Sequence, residues 1–159
     1  MKPSSFYTFL FVSLGACLFQ GCAGEPRPEG MPELHPATLT FTQGGKPLEG
    51  ATVMLSSPDV GWVVGGVTDA SGRAVLHTHQ KFRGAPVGEY KVCVEKLETE
   101  GEQASPSNPW AVWKVFNLIE QQYWYPHTTP LTVTIAAGTN TPPPFDVGEA
   151  VRIEPPSSL

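Results

Sequence analysis

Hydrophobic and polar residues alternate along much of this 159-residue chain, with a period of two. Val53 and Leu55 alternate with Thr52, Met54 and Ser56, and Leu131, Val133 and Ile135 with Thr132 and Thr134. In the same way Tyr90, Val92 and Val94 alternate with Lys91, Cys93 and Glu95. Successive side chains of a strand point to opposite faces, so each run can bury one face and wet the other. The pattern predicts strands near residues 37–43, 51–56, 62–68, 73–78, 88–96, 131–137 and 145–153. Between them stand Gly44-Gly45-Lys46-Pro47, Asp69-Ala70-Ser71-Gly72 and Ala85-Pro86-Val87-Gly88, whose residues preset or permit turn conformations. Seven short strands with regular turn signals fit one all-β sandwich.

Two segments depart from this alternation. Residues 109–122 hold Trp110, Val112, Trp113, Val115, Phe116 and Ile119 without an internal Gly or a second Pro. Trp113, Phe116 and Glu120, and likewise Val112, Val115 and Ile119, fall near helical spacing. This predicts a short amphipathic helix at about 110–122 beginning at Pro109, with an extended segment along a sheet edge as the alternative. The other departure is an apolar run over residues 6–19 behind Met1 and Lys2, followed by Gln20, Gly21 and Cys22. A mainly apolar run of 14 residues is too short for a bilayer-crossing helix, which needs roughly 20. A positive start, a short apolar middle and a small residue at the junction are what a signal peptidase reads.

The segment Leu18-Phe19-Gln20-Gly21-Cys22 resembles the bacterial lipobox, although Phe19 and Gln20 stand where Leu and a small residue are usual. The resemblance implies cleavage before Cys22 and lipid on that cysteine, which would hold the protein on a membrane. Several acyl chains anchor firmly where one does so only marginally. Ala23, in place of Asp, implies onward sorting to an outer membrane where one exists. The expected organisation is therefore a signal peptide over 1–21, a Gly-, Pro- and Glu-rich tether over 22–35, a domain over 36–154 and a tail over 155–159. The protein is expected in the bacterial cell envelope, with its domain outside the cytoplasm.

Without residues 1–21, nine basic residues face 15 acidic ones, a net charge of about −6. No dense basic patch remains, which argues against nucleic acid as a partner. With Cys17 in the signal and Cys22 lipidated, Cys93 has no partner for an internal disulfide. It reads as a small strand residue, since nothing near it in sequence would lower its thiol pKa.

Three further motifs carry a second resemblance. Gly45-Lys46-Pro47-Leu48-Glu49-Gly50-Ala51-Thr52-Val53, Thr68-Asp69-Ala70-Ser71-Gly72-Arg73 and Pro86-Val87-Gly88-Glu89-Tyr90-Lys91-Val92 resemble the opening hairpin, the turn and the strand of carboxypeptidase regulatory-like, or transthyretin-like, domains. Tyr125, the run Thr129 to Ile135, Gly138, Asn140 and Phe145-Asp146-Val147 resemble the remainder of small bacterial lipoproteins that carry one such domain. The resemblance implies a seven-stranded antiparallel Greek-key sandwich of the transthyretin (prealbumin) type. Asp69 reads as a turn residue in this setting, with a calcium ligand as the alternative.

Candidate chemistry is sparse. His77 and His79 are two apart on an expected strand and would face one way, which makes them, with His127, the candidates for a metal. The expectation is nonetheless no metal and no cofactor. No Gly-x-Ser-x-Gly elbow or phosphate-cradling loop occurs. Glu95, Glu98, Glu100 and Glu102 read as a solvated loop. The aromatic cluster is the candidate for recognition: Trp110, Trp113 and Trp124 are the candidate contacts for an envelope protein or a carbohydrate, with core packing as the alternative. The leading expectation is a non-enzymatic interaction or structural module. Its competitor is a small metal-binding protein or enzyme on a transthyretin-like scaffold.

Overall fold

The computed structural model describes residues 26–155, so the expected signal peptide, Cys22 and residues 156–159 lie outside the described residues. In chain order the strands are β1 (Thr38–Gln43), β2 (Lys46–Pro47), β3 (Thr52–Ser56), β4 (Val64–Val67), β5 (Arg73–Val75) and β6 (His77–Thr78). They continue with β7 (Phe82–Arg83), β8 (Gly88–Glu95), β9 (Leu97–Gly101), β10 (Trp113–Asn117), β11 (Thr132–Ile135) and β12 (Phe145–Asp146). A single 3-10 turn at Gln121–Tyr123 is the helical element among the described residues. The fold is all-β and almost wholly antiparallel, β1 against β12 being the parallel pair. No helix among the described residues is long and apolar enough to cross a membrane.

Two sheets enclose the core. The larger runs β11-β8-β3-β4-β6-β7, and the smaller runs β12-β1-β2 with β5 also paired to β1. Leu39 and Phe41 of β1 meet Val53 and Leu55 of β3 and Val92 and Val94 of β8 in one buried cluster. Phe41 also stacks on Phe145 with ring centroids 5.5 Å apart. The alternation read from β3, β8 and β11 thus sorts these side chains as expected. The outward face of β3 carries Thr52 and Met54, both exposed.

The expected strand over 73–78 divides at buried Leu76. β5 pairs with β1 in the smaller sheet, whereas β6 pairs with β4 in the larger. At the corner the Leu76 N–H donates to Ala37 O at 3.0 Å, and its carbonyl accepts from Gly84 N at 2.8 Å. The turn before β5 is held by Asp69, whose Oδ1 accepts from Ser71 N (2.9 Å), Ser71 Oγ (2.6 Å) and Arg73 N (3.0 Å). The Ser71 hydroxyl, and then the Arg73 N–H, hold the Asp69 carboxyl below the usual carboxylate range. Gly72 closes this turn at φ +76°, and a Cβ there would lie 2.3 Å from Phe41 O, so both conformation and space require glycine.

Several expectations are corrected. Residues 110–122 form no α-helix: Trp113–Asn117 is β10, paired antiparallel to β9 from Trp113↔Gly101 to Asn117↔Leu97. The near-helical spacing was a weak signal in a run rich in Val and Trp, residues that favour strands, and a complete ladder with β9 satisfies its backbone. For the same reason the acidic run is no loop. Glu98 and Glu100 lie on β9, and Arg152, stacked over the Phe116 ring at 3.7 Å, pairs with both. The last expected strand stops at Asp146, whose carboxylate accepts from Gly148 N at 2.7 Å as Gly148 turns the chain at φ +79°. The domain also begins earlier than residue 36, since Leu34 is buried and His35 exchanges backbone hydrogen bonds with Ala85 at 2.9 and 3.0 Å.

Candidate functional site

Strand register places a row of side chains across the outer face of the larger sheet. Met54 lies between Cys93 on β8 and Gly65 on β4, and Gly65 in turn pairs with His77. One step along, Thr52 lies between Glu95 and Val67. A face turned to water would ordinarily be polar, yet Met54, Val63 and Val67 are 51%, 55% and 62% exposed. Gly65 leaves the floor bare because a Cβ there would lie 2.6 Å from Val53 O.

Two aromatic walls turn this face into a groove of about 540 Å³ lined by Met54, Trp62, Val63, Cys93, Trp124 and Tyr125, with polar contributions from Thr52, Ser56, Ser57 and Glu95. Trp124 is set in place after the 3-10 turn. Its Nε1–H donates to Ile119 O at 2.8 Å, and its backbone N–H donates to Gln121 O at 3.2 Å. Tyr125 packs edge-on to Trp124 at 6.4 Å and stacks on His127 at 5.5 Å. On the opposite wall Trp62 meets the His79 ring edge-on at 5.1 Å.

The groove shares its borders with two neighbouring depressions. Thr52, Met54 and Val63 also line one that continues over Gly65, Gly66 and Val67. Glu95, Trp124 and Tyr125 also line one that continues along the β9–β10 hairpin past Leu97, Trp113 and Asn117. Asn117 is buried there and braces the hairpin: its Oδ1 accepts from Lys96 N at 3.2 Å and Ile119 N at 3.1 Å. Its Nδ2 makes no hydrogen bond among the described residues.

The three candidate tryptophans therefore have three different settings. Trp124 is buried as a wall of the groove, Trp113 is half exposed along the adjoining depression, and Trp110 is 89% exposed on the β9–β10 connection, away from the groove. Sequence reading missed Met54, Trp62 and Glu95. The available signal was Met54, a large apolar side chain on the polar phase of an alternating strand. Trp62 was harder to find because it lies 48 residues before the aromatic cluster it faces.

The histidines do not act as a pair. β6 ends at Thr78, and His79 and Gln80 take φ of 53° and 60°, so the two-residue alternation that would align His77 with His79 is broken. His77 Nδ1 lies 3.1 Å from Val75 O, while His79 and His127 each rest on an aromatic ring. Among the described residues no group of three or more His, Cys, Asp or Glu side chains is placed to hold a metal ion.

Cys93 follows the alternation as read, yet it is buried although it belongs to the outer face. Burial, and then the Glu95 carboxylate, push its thiol pKa above the ordinary value.

Comparisons with known proteins add little to this geometry. No family model matches the chain, and no curated protein matches it. Among solved structures the chain is similar to a 9R-lipoxygenase from Cyanothece PCC8801, at 20% identity and a TM-score of 0.31. That match covers 74% of this chain and 18% of the enzyme, and a likeness so faint carries no functional argument.

Proposed function

We propose that this protein is a lipid-anchored, non-enzymatic recognition module of the bacterial cell envelope, in which the outer face of the larger sheet receives a partner. One observation carries the reading: Met54 and Val63 form an exposed apolar floor between the Trp62 wall and the Trp124–Tyr125 wall, and exposed Val67 lines the depression that adjoins it. Contiguous exposed apolar surface of this kind marks interaction sites, and aromatic side chains supply large, stiff contact area. The groove's cysteine adds no activated nucleophile to this reading. A raised thiol pKa suppresses the reactive thiolate of Cys93.

On this reading the scaffold is a seven-stranded Greek-key sandwich of the transthyretin-like, carboxypeptidase regulatory-like type. The three motif segments support it, each falling on a turn or strand entry: the β1–β2 turn, the Asp69 turn and the start of β8. Cys22 carries the lipid that holds the domain at the membrane.

Two arms of one experiment test the proposal. Cells fed an alkyne fatty acid should label the wild-type chain and not Cys22→Ser. A photo-crosslinking residue at position 54 should capture an envelope component that the same residue at Glu149, an exposed site beyond the groove, does not. Equal labelling of Cys22→Ser overturns the anchor, and equal capture from positions 54 and 149 overturns the recognition face.

A further inference from the structure

The groove's apolar lining leaves one of its groups unexplained. Glu95 is the single charged side chain among the lining residues, and it is half-buried at the end of β8. It makes no hydrogen bond or ion pair among the described residues. Three basic side chains of the surrounding elements have other partners, and Lys96, the next residue along, lines a different depression and not the groove. Lys91 Nζ donates to Thr129 O at 3.5 Å, Lys114 pairs with Glu154 at 3.5 Å, and Arg152 pairs with Glu98 and Glu100. β3 offers Thr52, Met54 and Ser56 to the groove, and the two walls offer Trp62, Trp124 and Tyr125, none of them basic.

A half-buried carboxylate beside apolar walls keeps part of its hydration, and a hydrogen-bond donor or a cation can supply the rest. Aromatic faces likewise attract cations, and rings combined with an acidic group suit an ammonium more than a neutral molecule. The volume of about 540 Å³ falls in the range of small-molecule sites, roughly 300 to 1,000 Å³.

We propose that the groove binds an organic cation, an ammonium group on an apolar or aromatic body, with Glu95 meeting the charge and Trp62, Trp124 and Tyr125 enclosing the body. The inference rests on the reading of this groove as a recognition face and names the chemistry it recognises. Thr52, exposed and directly across from Glu95 in the sheet register, is a position from which a tethered cation reaches the same carboxylate.

The test uses the full chain in a neutral maltoside detergent, titrated with phenethylammonium and with its uncharged counterpart 2-phenylethanol. Tryptophan fluorescence reports occupancy. The ammonium should bind at least about tenfold more tightly than the alcohol, a difference of about 1.4 kcal/mol. That preference should vanish in Glu95→Gln. It should vanish also in Thr52→Lys, whose new ammonium pairs with Glu95 while the unfolding midpoint is kept.

Equal binding of the two probes, unchanged by either substitution, overturns the cation preference and leaves the recognition face standing. Absence of binding by both probes also overturns the inference, and crosslinking from position 54 then decides the recognition face separately. A protein that associates with itself through this groove, so that the probes bind only on dilution and without preference, overturns it as well.

Discussion

The two faces of the larger sheet are made by the same strands and obey different rules. On the inner face Val53, Leu55, Tyr90, Val92 and Val94 are all buried against the smaller sheet. On the outer face their immediate neighbours Thr52, Met54, Lys91, Cys93 and Glu95 mix apolar, polar and charged groups within a few ångströms. Packing accounts for the inner set, because a core filled to the density of an organic crystal leaves little choice of size or polarity. It does not account for Met54 outside, since the fold would be equally well served there by a hydrophilic side chain. The difference separates residues that the fold needs from residues that something beyond the fold needs.

That separation breaks first under truncation. Tyr90, 2% exposed with its hydroxyl donating to Pro86 O at 2.8 Å, should cost about 3–5 kcal/mol when changed to Ala. Met54→Ala on the adjacent strand should stay within about 0.5 kcal/mol, as surface substitutions do. Urea unfolding of both variants measures the contrast. A loss from Met54→Ala comparable to that from Tyr90→Ala would make the outer face part of the core and dissolve the distinction.

Alkali sharpens the same contrast. Burial pushes the Tyr90 hydroxyl up from its ordinary value of 10.0 to about 12. The folded state therefore favours the protonated phenol. The stability this contributes is fully present below pH 10 and is lost as pH rises toward about 12. Two pH units correspond to something on the order of 3 kcal/mol. Stability measured across that window should fall less steeply in Tyr90→Phe than in the wild type. Parallel curves for the two proteins would show that the inner face does not hold the phenol as tightly as its burial implies.

Local pattern made the inner face legible in the sequence and left the outer groove largely hidden. Val53, Leu55, Val92, Val94, Val133 and Ile135 announce themselves by period-two alternation, which reports one buried face whatever the partner sheet. The Asp69 turn was equally readable, because its hydrogen bonds reach only two and four residues along the chain. The β9–β10 hairpin was not. Its ladder joins residues 97–101 to residues 113–117, and the charges of Glu98 and Glu100 suit a strand only because Arg152, about 50 residues on, arrives over Phe116. The groove depends on still longer separations. Trp62 and Trp124 are 62 residues apart, and only the folding of the 119–129 segment against β8 brings them to one space. His77 and His79 misled for the opposite reason: their spacing was local, but the strand that gave it meaning ends between them.

The smallest expected effect concerns Cys93, where the two faces come closest. Its side chain belongs to the outer row with Met54, yet it is nearly as buried as the inner core. Burial is the larger cause of its raised thiol pKa and the Glu95 carboxylate the smaller, so the two are separable. Glu95→Gln removes the charge and keeps the burial. Alkylation of Cys93 by iodoacetamide, followed by peptide mass across pH 7 to 10, should therefore become a few-fold faster in Glu95→Gln while remaining slower than for an open thiol. Met54→Ala, which opens the floor beside the thiol without touching the charge, should raise the plateau rate and, by lessening the burial, lower the midpoint of the pH profile as well. A midpoint unmoved by Glu95→Gln would mean that the carboxylate points away from the groove floor, and the charge on which the cation site depends would then belong to the solvent.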